Sequence, residues 1–543
     1  MPITDKNKGD IKMSEAIKNL IANGDVSLGV EFGSTRIKAV LTTKGANVVA
    51  QSDFEWENQV VDGVFSYDLK DVWVGLQDCY KKIADQVKAE YGVELTKIKA
   101  MGFSAMMHGY IAFDKENNLL VPFRTWRNTI TEQAADILSE AFKFNIPQRW
   151  TVAHLYQAIL KKEAHIPQID FVTTLAGYVH WMLTGNKVVG VGEASGIFPV
   201  DETTLDYNAD MAAKFDQLTA KEGFGKKLSE VFPKVLVAGD VAGTLTKEGA
   251  LLIDPTGKLE AGTEICPPEG DAGTGMVATN SILPKTGNIS AGTSIFAMIV
   301  LEKSLANYYK EIDMVTTPVG HPVAMVHCNT CTSDINGDVK MFHTFAKKFN
   351  PDCEIGEIYN YLYNEAAKGD YDCGGLCSIN YFAGEPVVGV EEGVPMFLRN
   401  PQGNFTLQNF MRSQIYATFA CVKIGLDMLF KDENVPVEKL LGHGGLFKVE
   451  GVAQQMMASA LDTAVQVTKS ASEGGAWGMA ILAEYMKEKG GKSLAEYIED
   501  VIFAGAESTT KEPNPEETAG YNAFIEMYKK ALGAEKAAAA ILK

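Results

Sequence analysis

Positive charge and thiols are what this sequence has least of. Fifty Lys and Arg stand against 69 Asp and Glu, a net charge of −19 at pH 7. So acidic a chain repels polyphosphate backbones and anionic headgroups, which argues against nucleic acid and membrane surfaces as partners. Small phosphorylated ligands stay within reach, because local N–H groups and a metal ion can hold phosphate inside an acidic protein. Eight cysteines in 543 residues are too sparse for a disulfide framework. No apolar run approaches ~18 residues, so no transmembrane helix is expected. The opening stretch MPITDKNKGDIKMSEAIKNLIANG is polar and lacks the apolar centre of a secretory signal, so a cytoplasmic location is expected. A P-loop of the G-x-x-x-x-G-K-[ST] type is missing. Gly190-Val191-Gly192 has its next glycine only at Gly196, one residue too late for a dinucleotide fingerprint.

What is present is a chain with 46% apolar residues, long enough for two large domains. Its centre of interest runs from Ile265 to Met298. There Gly270-Asp271-Ala272-Gly273-Thr274-Gly275 places one carboxylate among very small residues, and Gly287 to Ser294 offers N–H groups and hydroxyls without charge. Small residues let anionic oxygens approach the backbone, and an isolated carboxylate beside such a loop suits a base working next to phosphate. Both segments are expected to be loops.

Nearer the N-terminus, VSLGVEFGSTRIKAVLTT predicts two strands joined by a tight turn. Gly33, Ser34 and Thr35 can wrap a phosphate, Lys38 adds charge, and Glu31 places a carboxylate where hydrated Mg²⁺ can sit. Residues 1–24 read as a surface helix, and Leu69, Val72, Trp73, Leu76, Cys79, Tyr80 and Ile83 predict a helix over 68–90. Ile98 to Gly109 reads as a strand ending in a loop that carries Met106, Met107 and His108. Trp126-Arg127-Asn128 joins an aromatic face to hydrogen-bonding groups, a combination that suits a sugar. Residues 171–185 predict a helix capped by Gly185. The segment 302–400 is irregular and expected to mix strands and loops, while 406–430 is helical. Leu440 to Met457 reads as strand, glycine turn and helix, with Gly444 and Gly445 letting a nucleoside lie against the backbone and Lys448 beside them. Ala531 onward reads as a terminal helix. Cys328-x-x-Cys331 and Cys373-x-x-x-Cys377, near His327 and His343, have loose zinc spacing, but their small and apolar neighbours and the separation of the two pairs favour ordinary buried thiols.

Three motifs in this order carry a resemblance: Glu31-x-Gly-Ser-Thr-x-x-Lys38, Gly-Asp271-Ala, and Ala-Gly-Thr293-Ser294. The chain from about Val26 to Leu532 resembles the FGGY carbohydrate kinases of the actin-like ATPase superfamily. The resemblance implies an α/β fold of two ribonuclease-H-like domains with a central cleft that takes ATP. The expected division is an extension at 1–25, an N-terminal kinase domain at 26–284 with sugar site and base, and a C-terminal domain at 285–543 with the ATP site and terminal helix. It further implies Asp271 as the general base, and Glu31 with Asp271 holding Mg²⁺. Gly33, Ser34, Thr35, Lys38, Gly292, Thr293 and Ser294 are implied on the phosphates, and Gly444, Gly445 and Lys448 on the nucleoside. Glu473-Gly474-Gly475-Ala476 resembles the small-residue helix that follows the nucleoside motif.

Ala105-Met106-Met107-His108-Gly109 is similar to the Gly-Gln-Met-His-Gly loop of pentulose kinases, which implies sugar contacts for Met107 and His108 and favours xylulose. Trp126, Arg127 and Asn128 complete the expected sugar wall. Five positions depart from the family pattern. Glu31 and Glu193 stand where Asp is usual, Met106 where Gln is usual, and Arg127-Asn128 where Asn-Asp is usual. An arginine at 127 suits a carboxylate-bearing or differently configured substrate. A hexulose, sugar acid or polyol is therefore an alternative acceptor, and a non-catalytic nucleotide-binding regulator is an alternative function. The isolated Asp271 speaks for the enzyme, since a pure binder needs no base. Homodimers occur in the family, although no sequence feature marks that contact.

Overall fold

A computed structural model describes residues 5–468 and 474–542 of the chain, with side chains from residue 14. Backbone packing separates two compact units. The first comprises Met1–Ile282, Met314–Pro322 and Ser472–Gly505, the second Leu283–Asp313, Val323–Ala471 and Ala506–Lys543.

The first unit is built on strand Ser27–Phe32, with Leu28, Val30 and Phe32 buried on one face and Ser27 and Gly29 buried on the other. It pairs antiparallel with Arg36–Thr43 across the turn at 33–35 and parallel with Ala100–Ala105. Asn47–Glu55 extends the sheet on one side, and Glu264–Ile265 and Gly243–Thr244 extend it on the other. Helix Leu69–Tyr91 covers the sheet with Val72, Leu76, Cys79 and Ile83 of the predicted apolar stripe, continued by Val87. Asp68 caps its start by accepting from the Lys70 amide, and Gly92 ends it at φ 68°. The predicted Gly185 cap likewise closes helix Leu175–Thr184 at φ 80°.

The sheet of the second unit repeats this opening. Thr286–Ala291 pairs antiparallel with Ile295–Val300 across a turn at 292–294, and parallel with Lys439–His443. Each unit therefore begins with a hairpin whose turn is glycine followed by two hydroxyl residues, Gly33-Ser34-Thr35 and Gly292-Thr293-Ser294.

Two expectations are corrected. The segment 302–400 is not only strands and loops: it contains helices Ser333–Lys347 and Ile355–Ala366. The first was hard to see because it buries only Ile335 and Val339 while Met341 and Phe345 stay exposed, so its apolar pattern does not follow a single stripe. The two segments expected as loops are not loops either: Asp271–Ala278 is a helix with Gly270 as its N-cap, and of 287–294 only the turn at 292–294 lies outside strand Thr286–Ala291.

The close packing on helix Asp271–Ala278 is permitted by a glycine of its partner, for a Cβ on Gly273 would meet only Pro318 and Glu269, and one on Gly275 nothing within 4 Å. Helix Gly474–Glu488 crosses it at backbone distance, and a Cβ on Gly478 would sit 2.1 Å from the Thr274 carbonyl oxygen. The same helix lies on strand Ser27–Phe32, where a Cβ on Gly29 would meet the Ala476 carbonyl at 2.1 Å. Gly478→Ala is expected to cost about 2 kcal/mol, read as a fall in unfolding midpoint; an unchanged midpoint would show that the helices can part freely. Among the described residues no helix is long and apolar enough to cross a membrane.

Candidate active site

Asp271 is the first residue of its helix, where the aligned peptide dipoles favour a carboxylate. Its Oδ1 accepts the amide hydrogens of Met107 (3.2 Å) and Ala272 (3.0 Å). Burial and the neighbouring Glu31 charge outweigh these donors and push Asp271 up to about 6. Such a group is ionised at neutral pH and close enough to its midpoint to take a proton.

The loop that donates to Asp271 is held in an uncommon shape. His108 adopts φ 70° and Gly109 φ 88°. The buried His108 ring stacks on Trp150 at 6.1 Å, and its Nδ1 lies 3.3 Å from the Gly196 carbonyl. A carbonyl can only accept, so Nδ1 carries the proton and Nε2 is the acceptor. Burial, then the Arg149 charge, hold His108 well below its ordinary value, so it is neutral and serves as a hydrogen-bonding group. Met107 packs against Gly270 and Gly196, where a Cβ would come within 2.2 Å and 2.9 Å of its side chain.

Behind this loop sit two carboxyl groups. Glu269 and Glu193 are fully buried, and the Glu193 amide donates to Glu269 Oε2 at 2.9 Å. Burial pushes Glu269 up to about 8 and Glu193 well above its ordinary range, so both are held as neutral acids near pH 7. Glu269 carries no expectation from the sequence. The available signal was Gly190 and Gly192, whose missing Cβ atoms leave room for its carboxyl group (2.1 and 2.3 Å).

Glu31 faces Lys38 across the hairpin, with Lys38 Nζ 3.8 Å from Oε2. Burial raises the Glu31 carboxyl group, and Lys38 partly offsets this. Its buried Oε2 has no hydrogen-bond partner, and glycine at 475 keeps the space beside Oε1 open, where a Cβ would intrude to 2.8 Å. An unsatisfied carboxylate oxygen beside Asp271 is a donor set that fits hydrated Mg²⁺. Glu473 lies outside the described residues.

The turn at 33–35 is fixed by residues that the sequence did not flag. Trp56 Nε1 donates to the Gly33 carbonyl (2.7 Å), Tyr67 Oη to Ser34 (2.5 Å) and the Trp56 amide to Thr35 (3.2 Å). All three carbonyls of the turn are thus engaged, which suits an anion on its N–H side. Trp56 and Tyr67 also pack ring against ring at 4.4 Å.

Trp126 is brought to this same turn: its Nε1 donates to Ser34 Oγ at 3.1 Å while the ring stays partly exposed. Arg127 is exposed, with its guanidinium 4.8 Å from the Phe65 ring centre. Asn128 is buried, its amide accepting from the Phe65 N–H (2.9 Å) and donating to the Phe65 and Thr125 carbonyls (2.8 and 3.0 Å). Its polar atoms hold the loop's backbone.

In the second unit, the Gly292 amide donates to the Ser294 carbonyl at 2.9 Å, closing the turn. The Gly292 carbonyl accepts from the Thr332 amide and hydroxyl (3.1 and 2.8 Å), and the Thr293 carbonyl from the Cys331 amide (2.8 Å). Gly444, at φ 104°, lies so close to strand Thr286–Ala291 that a Cβ would meet the Ala291 carbonyl at 2.5 Å. The turn at 292–294 and the Gly444-Gly445 segment are therefore neighbours. A Cβ on Gly445 would meet nothing within 4 Å, and Lys448 is exposed, so an open backbone face suits a nucleoside there.

Comparison with known proteins adds the following. Residues 26–255 match the N-terminal domain, and residues 287–486 the C-terminal domain, of the FGGY family of carbohydrate kinases. A xylulose kinase of Haemophilus influenzae is 23% identical over 467 residues, covering 84% of this chain and 89% of that protein. The solved gluconate kinase of Lactobacillus acidophilus superimposes with a TM-score of 0.75 at 18% identity, covering 95% of this chain and 99% of its own. The ligand-bound xylulose kinase of the same organism gives 0.74 at 18% identity, covering 94% and 98%.

Proposed function

The chain belongs to the FGGY family of carbohydrate kinases, with the actin-like ATPase fold, and on that premise we propose that it phosphorylates a small open-chain sugar, a pentulose such as xylulose. The observation that carries this reading is the Met107 amide donating to Asp271 Oδ1. It makes the loop that resembles the pentulose-kinase sugar loop and the proposed base one hydrogen-bonded unit. The xylulose kinase among the relatives supports the same substrate.

Asp271 Oδ1 is engaged by two amides, so Oδ2 is the atom that accepts the sugar hydroxyl proton. MgATP, when bound, supplies the phosphoryl group and the cation that offsets its charge. Glu31 and Asp271 would hold the cation, and the turns at 33–35 and 292–294 would hold phosphate oxygens, with Lys38 adding charge. Gly444, Gly445 and Lys448 would carry the nucleoside. Met107, His108 Nε2 and the Trp126 face would position the sugar. Asn128 contributes by shaping the loop that presents Trp126 and Arg127. Catalysis of this kind comes from alignment and charge placement more than from covalent chemistry.

A second acceptor has a specific observation in its favour. Arg127 is an exposed cation pinned over Phe65, a partner for a carboxylate, so a sugar acid is the alternative. Coupled ADP release from MgATP across pentuloses, hexuloses, polyols and sugar acids tests the reading. Xylulose should give the largest kcat/KM. A sugar acid as sole responder would replace the substrate, and ADP release indifferent to every sugar would overturn the kinase.

Glu31→Gln is expected to raise the Mg²⁺ concentration for half-maximal rate by about tenfold or more, because one hard anionic donor becomes a neutral amide. A magnesium titration superimposable on that of the parent would place the cation elsewhere.

A further inference from the structure

The cysteines that the sequence pairs by spacing are not the ones the fold brings together. Cys328 ends strand Pro322–Cys328, and Cys421 lies 93 positions on in helix Leu407–Asp427. With Glu385 they form a trio whose ligand atoms all lie within 4.8 Å of one another. It is the one such grouping among the described residues. All three side chains are fully or almost fully buried. Neither Cys331 nor the Cys373 and Cys377 pair joins it.

We propose that Cys328, Cys421 and Glu385 bind a divalent cation of the zinc class. Two sulfurs and one carboxylate oxygen give three protein donors, with the second carboxylate oxygen close enough to complete a distorted tetrahedral shell of the four donors a structural zinc takes. Tetrahedral geometry at a Zn–S length of about 2.3 Å puts the sulfurs about 3.8 Å apart. The trio therefore has to close by only about 1 Å, within the reach of side-chain rotation. Thiol ligands exclude Mg²⁺, which takes hard oxygens, so this site is chemically distinct from the one at Glu31. Binding releases the two thiol protons to solvent and leaves a net charge of −1 on the ion and its ligands. The surroundings already serve that charge. Glu385 Oε2 and Oε1 accept the amide hydrogens of Asn329 (2.9 Å) and Thr330 (2.7 Å), the outer hydrogen bonds that orient a ligating carboxylate.

The ion would have a definite structural effect. The residues following Cys328 run directly to the turn at 292–294, through the Cys331 amide on Thr293 and Thr332 on Gly292. A cation joining Cys328 to Cys421 would tie that segment to helix Leu407–Asp427.

The test uses the full-length protein and metal alone, so it stands or falls independently of the kinase assignment. Zinc-loaded protein passed over a mild chelator should keep one equivalent of zinc. Cobalt substitution should give thiolate-to-cobalt charge-transfer absorption with tetrahedral d–d bands. Both signals should be lost in Cys421→Ser and in Cys328→Ser, and kept in Cys331→Ser. If the Cys421→Ser and Cys328→Ser variants misfold, the cobalt spectrum of the parent decides by itself. A parent that keeps no zinc and shows no charge-transfer band overturns the site, leaving a Cys421 thiol donating to Glu385 at 4.0 Å. Loss of metal in a folded Cys331→Ser protein overturns the ligand assignment.

Discussion

Asp271→Asn should fold like the parent and lose turnover by about a thousandfold. The asparagine carbonyl can still accept from the Met107 and Ala272 amides, which bond the Oδ1 side of the carboxylate. What changes is the other position, where an amide nitrogen cannot take a proton. Steady-state ADP release with the preferred sugar measures the loss, and an unfolding curve shows that structure is kept. Turnover within a few-fold of the parent would remove Asp271 from the role of base. The same carboxyl group sets a pH dependence. It acts as the carboxylate, and its value is about 6, so kcat/KM should be level above that pH. Below it the rate should fall about tenfold per pH unit as the base is protonated.

The largest loss of stability is expected from Arg412→Ala, about 3–5 kcal/mol. Arg412 and Glu517 form an almost fully buried ion pair at 2.5 Å. Arg412 also donates to the Tyr416 hydroxyl and to the carbonyls of Ala366 and Ala367 at the end of helix Ile355–Ala366. Glu517, in the first turn of helix Pro515–Leu542, takes the Ser459 hydroxyl on its second oxygen. Removing the guanidinium strands a buried carboxylate and takes a donor from the Ala367 carbonyl, while the Ala366 carbonyl keeps the Gly369 amide. Chemical denaturation measures the effect. The double variant Arg412→Met/Glu517→Leu should recover much of it, because apolar packing replaces a pair whose desolvation cost is high. A single-variant loss below about 1 kcal/mol would mean that water reaches the pair.

What could be read from the sequence was local. The hairpin around Gly33-Ser34-Thr35 follows from apolar runs on either side of a small-residue turn. Helix Leu69–Tyr91 follows from spacing, and the end of helix Leu175–Thr184 from one glycine. The order of three motifs was enough to reach the family. The isolation of Asp271 among glycines was likewise visible without coordinates.

Only the tertiary structure decided what the segment around Asp271 is. It read as a loop, yet Asp271–Ala278 is a helix, and helix Gly474–Glu488, some 200 residues later in the chain, passes it so closely that a Cβ on Gly478 would meet the Thr274 carbonyl at 2.1 Å. Asn128 read as a sugar ligand, yet its amide is engaged with Phe65, 63 positions away. Trp126 reaches Ser34 across 92 positions, and Cys328 finds Cys421 instead of the cysteine three residues on. The physical reason is common to all of these. Periodicity and turn chemistry come from interactions a few residues apart and are written in the order of the chain. The partner of a buried polar group is fixed by whichever backbone the fold carries past it, and no local pattern encodes that.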